Sequence, residues 1–285
     1  MDSEKFSELC LEYSCWCLLN LPDFRQFCEN LNQENKPDGD NNMVHQTFIK
    51  IAKQKQMRIG QDNLMTINRC LQHKRDYSNN STCIIGYIIE NLHCGLDHID
   101  KTLSTKFQQC CLVTLTETET CFECNSIFVK NYRQSVTTLF LPTMSSGVLT
   151  LDHCMKYSFN DRYCLSEHCI KCNKISMTRN IKYDMNHFNN KQLILRFHKG
   201  DKFTNNFIEY PEELDISQYC YSYQNTVYIL NCIYCFNRRN QCEYVILKKN
   251  NKWTKLYLRN NKIMGCHTDN IVTGDAHLLF YTRKE

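Results

Sequence analysis

Polar and apolar positions change their period a little over a third of the way along the chain. In the first hundred residues apolar side chains recur near helical spacing, as at Leu9, Trp16, Leu19 and Phe27. Pro22–Asp23 breaks that stripe and opens a short second helix. Thr82–Leu96 (TCIIGYIIENLHCGL) is a continuous apolar run that reads as a buried helix. Two polar stretches, Asn32–Asn42 and Asp76–Ser81, read as loops between helices. From Cys111 onward β-branched residues and two-residue alternation take over. The strand-like runs are CLVTLTETET, SIFVKNYRQSVTTLFL, QLILRF, TVYILNCIYCF, CEYVILKK, WTKLYLR and HLLFY. Asp152–Tyr163 interrupts them as a predicted helix. With only eight Gly and four Pro in the chain, Asn and Asp must make many of the turns. Lys248–Lys249 followed by Asn250–Asn251 reads as one such hairpin tip. Helices first and strands afterwards predict an α+β architecture, and no internal repeat is evident.

Composition narrows the function classes. The 285 residues are 42% apolar and 22% charged, ordinary for a folded chain that buries a large core. The net charge of +4 is spread out, with no basic run interleaved with aromatics, so a nucleic-acid partner is not expected. No apolar run reaches bilayer length, and the first thirty residues lack the charged-then-apolar pattern of a secretory signal. The expectation is a cytoplasmic or nuclear protein with no membrane partner, in a compartment that keeps thiols free or metal-bound. The sequons at Asn79 and Asn80 carry no meaning there.

Twenty cysteines then become the most informative residues. Cys121/Cys124 and Cys169/Cys172 are Cys-x-x-Cys pairs with 44 residues between them. Cysteines three apart on a tight turn aim both sulfurs at one point, and two pairs supply the four thiolates of a closed structural Zn²⁺ site. Such a site has no open position for water or substrate, so it points to structure rather than catalysis. The alternatives are four ordinary reduced thiols, or a ligand set in which Cys164 or His168 replaces a member of the second pair. Cys15/Cys17, Cys110/Cys111 and Cys232/Cys235 are further close pairs. Cys232 and Cys235, three apart on a predicted strand, leave it on opposite faces and read as small buried hydrophobes.

The order of these features resembles the ubiquitin-specific proteases, papain-like deubiquitinases built as thumb, palm and fingers. CFEC at 121–124 and CIKC at 169–172 resemble the finger knuckles, and LTLDHCMKYS between them resembles the family's intervening helix. QLILRF at 192–197 resembles a palm strand ending Arg-Phe. IEYPEELDISQY at 208–219 resembles the strand and turn that run from an aromatic-Pro to Leu-Asp-x-Ser-x-Tyr. Trp253 and the terminal HLLFYTRK resemble the last palm strands, and CLEYSCWCLLNLPDFR at 10–25 resembles an eroded catalytic helix. The resemblance covers the whole chain and implies one catalytic-like domain over 1–285. Its helical thumb would be 1–110, its fingers and palm with the zinc ribbon 111–198, and the rest of an antiparallel β palm 199–285.

Carried over residue by residue, the resemblance implies a nucleophile at Cys10, or at Leu9 if the register is counted back from Pro22. The family's oxyanion-stabilising Asn, five residues earlier, corresponds to Lys5, or to Glu4 in the other register. Its general base, the His of a Gly-His-Tyr, corresponds to Glu243 in Cys242-Glu243-Tyr244. Its third member, an Asp or Asn, corresponds to Asn260. Asn79-Asn80-Ser81-Thr82-Cys83 stands where the family has a Gln-Asp-Ala-x-Glu box.

The exchange of imidazole for carboxylate changes the chemistry. A carboxylate within about 4–6 Å of a thiol raises its pKa instead of holding it as thiolate. Ionised Glu also has no proton for a leaving amine. Loss of a triad base costs several orders of magnitude, and loss of an oxyanion donor about another 10²–10³. His267 and His277 are the imidazoles that a rescue would have to recruit, and His277 occupies an apolar slot that favours packing. The expected protein is therefore a pseudoenzyme that binds ubiquitin, a ubiquitin-like protein or another partner on the old substrate surface. Two alternatives stay open: a divergent active deubiquitinase using Cys10, and a zinc-ribbon scaffold unrelated to ubiquitin.

Overall fold

In a computed structural model the protein is described over residues 3–31, 40–54, 59–72, 81–142, 148–160, 162–164, 168–184, 191–199, 207–221, 226–237, 242–259 and 262–284. Six helices come first: α1 (Ser3–Leu19), α2 (Pro22–Asn30), α3 (Asp40–Gln54), α4 (Gln61–Gln72), α5 (Ser81–Ile99) and α6 (Lys101–Cys111). Pro22 opens α2, where its missing N–H costs nothing. Asp100 caps α6 by accepting from the N–H groups of Thr102 and Leu103. Most of the Asn32–Asn42 stretch and the Asp76–Asn80 stretch lie outside the described residues. Asp40–Asn42, expected as loop, instead opens α3, and Ser81 opens α5.

The finger sheet follows, with strands β1 (Val113–Cys121), β2 (Ile127–Gln134), β5 (Arg162–Cys164) and β6 (Met177–Tyr183) in the order β2-β1-β6-β5. The palm sheet contains β3 (Thr137–Phe140), β7 (Gln192–His198) and β10 (Val227–Asn237). It also contains β11 (Cys242–Lys249), β12 (Lys252–Arg259), β13 (Lys262–His267) and β14 (Ala276–Arg283). Its order is β13-β12-β11-β10-β14-β7-β3, with β9 (Glu213–Asp215) added on β10. A short parallel pair, β4 (Leu149–Thr150) with β8 (Ile208–Glu209), closes the list. The expected helix over 152–163 is shorter: α7 spans Leu151–Phe159, and Arg162–Cys164 is strand β5 paired to β6. A reciprocal cap between Thr150 and His153 fixes its start.

Two-residue alternation divides the palm strands between two cores. On β7, β11 and β14 the residues Ile194, Val245, Leu247, Leu278 and Phe280 face the helices. They meet Leu11, Cys15, Leu18, Ile85, Ile88, Ile89 and Phe107 there. The alternate set, including Leu193, Leu195, Tyr244, Ile246, Leu279 and Tyr281, faces α7 with its Leu151, Cys154, Met155 and Phe159. The palm is thus buried on both sides, which explains why its strands read as near-continuous apolar runs. Cys232 and Cys235 are both fully buried and fall in opposite cores, as their spacing predicts. On α1 the deepest residues are Leu11, Cys15, Cys17 and Leu18, whereas Trp16 and Leu19, two of the expected stripe, pack at its edge. Asn250 and Asn251 both adopt positive φ between β11 and β12, the two-residue turn that matches strand twist. No helix among the described residues is long and apolar enough to cross a membrane.

Candidate functional site: the finger knuckles and the thumb–palm seam

At the far end of the fingers, Cys121 ends β1 and Cys124 follows on a tight turn. Cys169 and Cys172 form the matching turn ahead of β6. The four sulfurs lie within 4.8 Å of one another. Cys121 Sγ is 3.6 Å from Cys172 Sγ, and Cys124 Sγ is 3.6 Å from Cys169 Sγ. A tetrahedron with metal–sulfur bonds of about 2.3 Å has sulfur–sulfur edges of roughly 3.8 Å, so these four thiols fit Zn²⁺. His168 is not in the cluster: its Nδ1 lies 3.2 Å from the backbone carbonyl of Asn173. The side chain of Cys164 lies outside the described residues.

The two knuckles repeat each other more closely than the cysteines alone disclose. Each reads Cys-x-x-Cys-Asn, and Asn125 (φ 54°) and Asn173 (φ 57°) both take the left-handed conformation that turns the chain back. The Cys121 N–H donates to Ser126 O at 2.9 Å, and the Cys169 N–H donates to Lys174 O at 2.9 Å. This short repeat escaped the sequence reading, although the Asn after each pair was its visible signal. The Ser126 hydroxyl and backbone N–H bring the Cys124 thiol down to about 6, whereas Cys172 is pushed up to about 12. For Cys172 the Lys174 N–H acts in the lowering direction, and burial with the neighbouring thiols outweighs it. The Cys124 sulfur is therefore shifted toward its thiolate form, which suits a first ligand for a cation.

The seam between thumb and palm is built differently. Glu243 lies on β11, two residues before Val245, and so points to the helix-facing side. It is 8% exposed and accepts a hydrogen bond of 2.5 Å from the Tyr234 hydroxyl on β10. The Tyr234 ring meets Tyr13 of α1 edge-on at 6.4 Å. Further along the same helix, Cys17 Sγ lies 3.3 Å from Cys232 Sγ. Burial, the Cys232 hydrogen bond and neighbouring thiols push the Cys17 thiol well up, so Cys17 serves as packing rather than as a nucleophile.

Of the remaining residues singled out, Cys10 belongs to α1, but its side chain lies outside the described residues, as do Lys5, Leu9 and Asn260. His267 is exposed on β13. His277 is half-buried on β14, its ring 5.9 Å from that of Phe236 in a T-shaped contact. Phe236 is the cross-strand partner of Glu243. Strand spacing therefore sets His277 about 10 Å from Glu243, with the Phe236 strand between them.

Among solved structures, a chain of the SAGA DUB module Ubp8/Sgf11/Sus1/Sgf73 bound to monoubiquitin superposes with a TM-score of 0.73. The identity is 15%, over 95% of this chain and 66% of that one. A chain of the yeast SAGA DUB module with an altered Sgf73 gives 0.73 at 16% identity, over 98% and 67%. A chain of the same module bound to ubiquitin aldehyde gives 0.71 at 15%, over 95% and 66%. The chain thus spans about two thirds of the length of those it matches. No family model and no curated protein matches the sequence. The fold is that of a ubiquitin-specific protease: helical thumb, antiparallel β palm, and fingers that end in a four-cysteine cluster.

Proposed function

We propose that the protein is a pseudoenzyme: a ubiquitin-specific-protease fold that binds ubiquitin or a ubiquitin-like protein without efficient peptidase chemistry. The observation that carries this reading is the buried Glu243 carboxylate bonded to Tyr234 in the seam. Along α1, Cys17 touches Cys232 and Tyr13 touches Tyr234. Four helical residues and two strand residues each advance by about 6 Å, so the next turn of α1, which carries Leu9 and Cys10, comes level with Phe236 and its partner Glu243. The seam thus carries a carboxylate at the position where the resemblance puts the family's imidazole. An ionised carboxylate there would disfavour a nearby thiolate and would have no proton to give a leaving amine.

Binding is supported by what the fold retains. The four finger thiols suit a structural Zn²⁺, which would tie the two knuckles together and supply no reactive position. Both faces of the palm keep a filled core. Two of the matching solved structures are described as bound to monoubiquitin and to ubiquitin aldehyde. A compartment without export, cytoplasm or nucleus, suits such a role.

The deciding experiment pairs a titration of isotope-labelled ubiquitin, followed by NMR, with a ubiquitin probe carrying a C-terminal electrophile. Shifts on titration with no covalent labelling support the proposal. Labelling that is lost in Cys10→Ala would establish the divergent-enzyme reading instead. Absence of any shift for ubiquitin and ubiquitin-like proteins would leave a zinc-ribbon scaffold.

A further inference from the structure

The finger tip exposes more apolar surface than a solitary ribbon needs. Among the described residues twelve large hydrophobics are exposed, and five of them, Phe122, Ile127, Val129, Ile170 and Ile175, sit on or beside the two knuckles. Phe122 is 53% exposed and Ile170 is 87% exposed, each in the middle of a Cys-x-x-Cys turn. Clustered apolar exposure of this kind marks a contact surface. Alongside the second knuckle runs an open groove of about 210 Å³. Phe128, Ile170 and Met177 line it together with Glu119, Lys130 and His168.

The charges beside these residues indicate what occupies the surface. The first knuckle carries exposed Glu123 next to Phe122; the second carries exposed Lys171 next to Ile170, with Lys174 just beyond. Two turns of the same backbone shape therefore present an apolar residue each and opposite charges. We propose that the finger tip is a self-association surface on which a second copy of this chain docks through a two-fold axis. Phe122 of each copy enters the groove beside Ile170 of the other, and Glu123 of each faces Lys171 of the other. A surface that holds both the knob and the hole closes on itself as a dimer and does not propagate. Opposed charges at the rim fix its register. Because the contact is confined to the ribbon tip, it falls in the small class of interfaces, below about 1,200 Å², and forms a weak dimer.

Sedimentation velocity on the full chain, from low micromolar to near-millimolar concentration, tests this. A monomer–dimer equilibrium is expected. Glu123→Lys and Lys171→Glu should each weaken it by at least roughly tenfold, because the two-fold axis turns each reversal into two unfavourable charge contacts. The double reversal Glu123→Lys/Lys171→Glu should restore it, and Phe122→Ser should abolish it. Zinc content per chain reports that each variant keeps its ribbon. A chain that stays monomeric throughout, or a dimer indifferent to both single reversals, would overturn the assignment. So would a double reversal that fails to restore association. If the chain is monomeric and Glu123→Lys instead weakens the ubiquitin titration, the tip belongs to ubiquitin and the dimer is refuted.

Discussion

The finger tip and the thumb–palm seam hold their functional side chains by opposite means. At the tip, the buried residues are Cys121, Cys169 and Met177, and β2 is exposed along most of its length. Among the described residues only Met177 and Phe128 back the four cysteines, so the thiols, two left-handed asparagines and any bound cation must largely fix the shape. At the seam, Glu243 and Tyr234 are set among dozens of buried side chains contributed by the thumb helices and five palm strands. The tip is stabilised by chemistry, the seam by packing. A change of a single ligand should therefore be local and complete at the tip, whereas a single change in the seam should be graded and global.

The sharpest way to break that contrast is at the ligands. Cys121→Ser or Cys169→Ser should abolish zinc binding and loosen the ends of β1 and β6 while leaving the palm folded. Hydrogen exchange should show full loss of protection at the paired Cys121 and Met177 and unchanged protection at Ile233 and Leu279. If the whole molecule unfolds instead, the two regions are not independent. A smaller effect is expected at the seam. Tyr234→Phe removes the donor to a buried carboxylate and should lower global stability by about 1.5–3 kcal/mol, measured by urea unfolding, with zinc content unchanged. No change in stability would mean the seam is not the packing-controlled site described.

The smallest effect concerns acidity at the tip. The Ser126 hydroxyl helps to hold Cys124 near 6, below its ordinary value. A thiol lowered on folding favours the folded knuckle above its unfolded value and ceases to do so as pH falls through about 6. Zinc release on acidification should follow the same direction. Ser126→Ala should raise the thiol and move the release midpoint to higher pH, read with a colorimetric zinc chelator. An unmoved midpoint would show that coordination alone sets the acidity.

Legibility in the sequence followed the same division. The knuckles were visible because all that aims their sulfurs is contained in Cys-x-x-Cys and the residues beside it. Even there, the left-handed Asn125 and Asn173 were overlooked, because asparagine is common in this chain and its turn role shows only in φ. The strands β7, β11, β12 and β14 were legible from composition and alternation, and the β11–β12 tip from its paired asparagines. The helix expected over 152–163 ran too far. The Thr150–His153 cap fixes where α7 starts, and pairing to β6 claims Arg162–Cys164 as strand, which local propensity does not encode. On α1, apolar spacing picked out Trp16 and Leu19, yet Cys15 and Cys17 lie deeper, because small thiols fit where the helix crosses the sheet most closely.

By itself, the sequence determined the α-then-β order, the paired Cys-x-x-Cys thiols of the fingers and the identity of the residue at position 243. These are properties of near neighbours and of side-chain type. The tertiary structure alone decided that Glu243 is buried, that Tyr234 supplies its hydrogen bond, and that His277 stands on the far side of Phe236. It also decided that two knuckles of opposite charge share one exposed tip. Residues 13, 234 and 243 meet only through strand register and helix crossing, and a sheet transmits that register across the whole chain while no local segment contains it.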